Sequence, residues 1–94
     1  MRRRIIRVDG TVETLDRAKR MEELRQLIGA AGLDTVALRH LGTPLQVMLV
    51  DDTGLVGGKP VNDQATKLYH ANCRPGVTHP ICGDVAIVFG GDFA

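Results

Sequence analysis

The residues best suited to chemistry lie close together near the C-terminal end, as His70-x-x-Cys73 followed by His79-x-x-Cys82. Two imidazoles and two thiolates make a complete tetrahedral set for a zinc ion, and a two-residue gap lets both members of a pair reach one metal. A metal would order an irregular segment in so small a domain. The competing reading makes Cys82 a small buried residue at a strand entry and places His70 at a helix C-terminus. We expect packing and surface roles for all four, with no metal and no cofactor, and keep zinc as the alternative. A Cys–His nucleophilic pair from the same residues lacks an orienting third group and donors for an oxyanion.

Other chemical readings fail on local grounds. Gly58-Lys59 follows a strand, but Thr53 stands where a phosphate loop needs its first glycine, and Pro60 replaces the magnesium-binding hydroxyl. Gly57-Gly58-Lys59-Pro60 therefore reads as a turn into the next helix. Asp51 and Asp52 could share a divalent cation with Asp63 or Asp84. Adjacent strand residues point to opposite faces, so turn formation before Thr53-Gly54 is the better account. No catalytic residue is expected.

Arg2, Arg3, Arg4 and Arg7, with Arg17, Lys19 and Arg20, could form a basic patch for phosphate backbones or an acidic protein surface. Glu13, Glu22 and Glu23 dilute that charge. The favoured role for the first arginines is to guard an edge strand against unwanted pairing, with an acidic partner surface as a second use.

These residues need elements to position them. Ile5, Ile6 and Val8 lead into Asp9-Gly10, a hairpin signal of type I′, so Arg3–Val8 and Thr11–Leu15 are expected to pair. Asp16 is suited to cap a helix whose stripe is Met21, Leu24, Leu27 and Ile28, ended by Gly29. From Asp34 the period becomes two, giving a strand through His40. After a turn over Leu41–Pro44, Leu45–Val50 is a second strand. Gly54–Pro60 is a loop, and Asn62 or Asp63 caps a helix to about His70 with Ala65, Leu68 and Tyr69 facing inward. Val85–Phe89 is the last strand. The expectation is one compact α+β domain over 1–94, with a mainly antiparallel sheet of about five strands, two helices, and the order β-β-α-β-β-α-β. Helix one should cover one face of the sheet.

Composition bounds the rest. The 94 residues suit a single domain with a modest core. Hydrophobic residues at 44% and charged residues at 24% fit an ordinary globule. A net charge of +1 and only three aromatic residues, Tyr69, Phe89 and Phe93, speak against nucleic-acid binding. No apolar run is long enough for a membrane span, and no signal peptide is expected behind Met1–Arg7. Two cysteines suggest a reducing cytoplasm.

Several segments together resemble a known family. Leu24–Gly29, then Val50-Asp51-Asp52-Thr53-Gly54-Leu55, Gly58-Lys59-Pro60-Val61-Asn62, Ala65-Thr66-Lys67-Leu68 and Ile81–Val88 look like domain of unknown function 3846, in this order and over nearly the whole chain. The resemblance implies a small accessory protein of phages, prophages and plasmids in a bacterial host, and carries no catalytic residues. The expected function is binding of a host or phage protein, through an exposed edge strand and the Gly54–Pro60 loop. Self-association through the same edge is a further expectation. The alternative is a zinc-stabilised or nucleic-acid-binding regulator using His70, Cys73, His79, Cys82 and the N-terminal arginines.

Overall fold

The computed structural model describes residues 2–54, 57–72, 76 and 78–93, the last by its backbone alone. Its class is α+β, with the expected order of strands and helices: β1 (Arg4–Ile6), β2 (Val12–Thr14), α1 (Met21–Leu27), β3 (Leu33–Leu38), β4 (Gln46–Asp51), α2 (Asp63–Ala71) and β5 (Val85–Phe89). One five-stranded antiparallel sheet has the order β2-β1-β5-β4-β3. Two sequence-local hairpins, β1–β2 and β3–β4, are thus joined by the last strand.

That central position explains the composition of β5. It pairs Ile87 with Arg4 on one side and with Met48 on the other. Its two faces are both covered, so it reads as a continuous apolar run. On one face Ile6, Met48, Val50, Val85 and Ile87 pack with Ala65, Leu68 and Tyr69 of α2. On the other, Ile5, Leu49, Ala86 and Val88 pack with Leu24 and Ile28. Helix α1 covers its face as expected, and α2 covers the opposite one.

Three local expectations are corrected. The first hairpin does not turn on a type I′ pair, which needs positive φ at both central residues. Only Gly10 has it (φ 92°), and the Arg7 carbonyl accepts from the Gly10 amide at 3.0 Å while the Arg7 amide donates to Thr11 at 2.9 Å. Asp9 instead accepts from the Thr11 amide at 2.9 Å, which holds the three-residue connection. Helix α1 begins at Met21, so Asp16 is not its cap; Arg20 holds that place, its amide donating to Glu23 at 3.4 Å. Residues 15–20 must carry the chain from the edge strand β2 back over the sheet. Extended backbone covers about twice the distance per residue that a helix does. Two turns bury only a narrow stripe, so Leu24 and Ile28 are inside while Met21 and Leu27 stay exposed. Gly29 (φ 66°) follows the helix as expected.

The third correction concerns the arginines. Residues 4–6 form an interior strand, so Arg3, Arg4 and Arg7 do not guard an edge. Arg3 makes a two-pronged contact with Asp92 at 2.7 and 2.8 Å and lies 4.9 Å from the Phe89 ring centre. Arg4 donates to the Gln46 side chain at 3.1 Å. Arg7 pairs with Glu13 and reaches Asp84 at 2.9 Å and the Leu27 carbonyl at 2.7 Å. Arg3 and Arg7 are thus held in ion pairs, and Arg4 by a neutral side chain of β4. The Asp92 carboxyl stands below its ordinary range because Arg3 hydrogen-bonds its charged form, outweighing burial.

Candidate partner-binding edge

The free edges of the sheet are β2 and β3. Strand β2 has three residues, with Glu13 drawn to Arg7. Strand β3 runs for six, in unbroken register from Leu33 opposite Asp51 to Leu38 opposite Gln46. Its outward main-chain groups can be assigned. The Asp52 amide donates to the Gly32 carbonyl at 3.3 Å, so that pair is hydrogen-bonded. Hydrogen-bonded and non-bonded pairs alternate along an antiparallel ladder. Asp34, Val36 and Leu38 therefore turn their main-chain groups toward β4, and Leu33, Thr35 and Ala37 turn theirs to the open side. The Thr35 amide fits this phase, since it donates to the Asp34 carboxylate at 2.9 Å.

Natural edges are blunted by charges, prolines or bulges. Over Leu33–Leu38 the only such device is Asp34, which covers the Thr35 amide; the amides of Leu33 and Ala37 have no equivalent guard among the described residues.

Beside β3, on the α2 face, lies a cleft of about 270 Å³ lined by residues of β3 and β4, by Tyr69 and by the segment His79–Cys82. Asp51 at one end is buried and committed: Thr53 donates to it from its amide (3.0 Å) and hydroxyl (2.9 Å), and the Lys59 ammonium lies 2.5 Å away. Burial pushes the Asp51 carboxyl up, and Lys59 and Thr53 outweigh it, leaving the group below the usual carboxylate range. Lys59 also donates to the Gly29 carbonyl at 2.6 Å. It is a strut between the loop and the end of α1, a role that phosphate-loop arithmetic does not suggest.

Of the four residues considered for zinc, the structure describes three. Cys73 lies outside the described residues. Cys82 is buried, bridged through its main chain to Val61. His70 donates from Nε2 to the His79 carbonyl at 2.8 Å, and His79 Nε2 shares a hydrogen bond with the Tyr69 hydroxyl at 2.7 Å. Both rings are thus engaged with protein atoms at Nε2. Asp63 opens α2, and Asp84 takes Arg7 and the Val8 amide at 2.9 Å. Among the described residues, no three His, Cys, Asp or Glu side chains converge in a metal-binding group, and no helix is long and apolar enough to cross a membrane.

The residue that positions this region is Asn62. It caps α2, accepting from the Ala65 amide at 3.1 Å as expected. Its side-chain amide also donates to the carbonyls of Ile6 (2.9 Å) and Gly83 (3.0 Å) in the buried interior. The capping role was legible in the sequence; the second pair of bonds joins segments too distant in the chain to be.

Comparison with protein-family models, with curated proteins and with solved structures finds no match to the chain.

Proposed function

We propose that the chain is a non-enzymatic accessory protein that binds a protein partner by accepting an extended segment at β3. The observation carrying this reading is a six-residue edge whose Leu33 and Ala37 amides point away from β4 without a guard. Strand addition at such an edge takes its affinity from main-chain hydrogen bonds and its selectivity from alternate side chains. The engagement of Arg3, Arg4 and Arg7 within the fold supports a protein partner over nucleic acid. The resemblance to domain of unknown function 3846 supports a phage or mobile-element setting, with action in the cytoplasm of the bacterial host. A second copy could offer the same strand, which sedimentation at rising concentration would register as a dimer.

Selection from a random heptapeptide library on immobilised full chain tests this. Ala37→Pro removes one outward donor and keeps the ladder to β4, a position where edge strands tolerate proline. Selected peptides should bind the native chain and lose at least about tenfold in affinity on Ala37→Pro, roughly 1.4 kcal/mol. Peptides that bind both forms equally, or a library that yields no binder, would contradict strand addition.

A further inference from the structure

We propose that the cleft beside β3 receives a lysine or arginine side chain of the added segment, so that the partner presents a cation on the α2 face. This rests on the strand-addition reading and names the chemistry it selects.

Asp34 and Val36 share one face of β3 and line the cleft, as does Val50, which stands opposite Asp34 in the register. A segment added to the open side of β3 lies about 4.8 Å away, with alternate side chains on that same face. One of them meets the mouth of the cleft between Asp34 and Val36. At about 270 Å³ the space falls below the roughly 300–1,000 Å³ of small-molecule sites, a size suited to one long side chain.

Charge decides which side chain. Asp51 is already balanced by Lys59. Asp34 and Asp52 are exposed, and neither has an ion-pair partner among the described residues. Asp34 sits at the rim, held there by the Thr35 amide. When an incoming strand takes that amide for its own carbonyl, the Asp34 carboxylate at the rim is released to water or to a donor of the incoming segment. A cationic head supplies one, while its methylene stem lies along Val36, Val50 and Ile81. An apolar side chain would leave Asp34 and Asp52 to water and forgo the charge attraction, which sets the preference.

Two end-blocked heptapeptides of alternating threonine and valine, with arginine or glutamine at the centre, separate the two claims. Amide shifts of Leu33 and Ala37 report strand addition; those of Asp52 and Ile81 report the cleft. The arginine peptide should bind about three- to fivefold more tightly, and the gap should close in the chain carrying Asp34→Asn and Asp52→Asn. Asp34→Asn keeps an oxygen for the Thr35 amide, so the edge itself is preserved. Equal affinities with shifts on β3 would overturn the cation preference and leave strand addition standing. Shifts at Asp52 and Ile81 without any at Leu33 and Ala37 would overturn strand addition and retain the cation site. Shifts nowhere would overturn both.

Discussion

Asn62→Ala should cost the fold about 2–4 kcal/mol, read as a lower urea midpoint with an unchanged slope. The loss has two sources. Removing the cap frees the Ala65 amide at the start of α2, worth about 1 kcal/mol. The larger part comes from the carbonyl of Gly83, which loses its donor in a site where Asn62 is 1% exposed, while the Ile6 carbonyl keeps its ladder bond to Val85 and loses a second one. Each buried acceptor left unmade costs about 1–3 kcal/mol. Domains of this kind have only about 5–15 kcal/mol in total, so the variant should be close to unfolding. Asn62→Asp should be no better, because it keeps the cap yet sets a carboxylate against two carbonyl oxygens. A loss under about 1 kcal/mol for Asn62→Ala would mean that another donor reaches the Gly83 carbonyl.

Gly54→Val should be the next most damaging change. A Cβ at Gly54 would stand 2.7 Å from the Cys82 carbonyl oxygen, a main-chain atom that cannot swing away. Cys82 is itself held by its bridge to Val61, and Gly83 by a 2.8 Å bond to the Pro60 carbonyl. Relief must therefore move the segment that carries β5 into the sheet. Overpacking of this kind costs about 1–3 kcal/mol, and valine takes it to the upper end, a fall in Tm of about 12–24 °C for a domain of this size. Gly91→Ala is the matched control, since nothing lies within 4 Å of its Cβ. Equal melting of the two variants would refute the close approach at Gly54.

The elements that the sequence made legible are those specified by neighbours in the chain. Val85–Phe89 is found with its expected bounds, because an uninterrupted apolar run needs cover on both faces. A cap at Asn62 or Asp63, of which the structure selects Asn62, and Ala65, Leu68 and Tyr69 as the inner face of α2, follow from residue type and spacing. Asp16 failed as a cap because its chemistry is suitable but the chain there is needed for distance. The arginines failed as edge guards for a related reason. Local pattern shows that Arg4–Ile6 is a strand, while only the insertion of β5 beside it makes it interior. The same insertion moves the usable edge to β3, which the sequence shows as a half-buried strand with nothing to mark its open side. The cleft escaped notice because Asp34, Asp52 and Ile81 meet only when β3, β4 and the segment after α2 converge. Lys59 was weighed for phosphate and is instead paired with Asp51 across the loop.

Amide hydrogen exchange along β3 in the free chain tests the central claim without any partner. The amides of Asp34, Val36 and Leu38, bonded to β4, should exchange slowly, and those of Leu33 and Ala37 should exchange quickly. Adding a selected peptide should slow Leu33 and Ala37 selectively. Slow exchange at those two positions in the free chain, or no change when peptide binds, would contradict an open acceptor edge at β3.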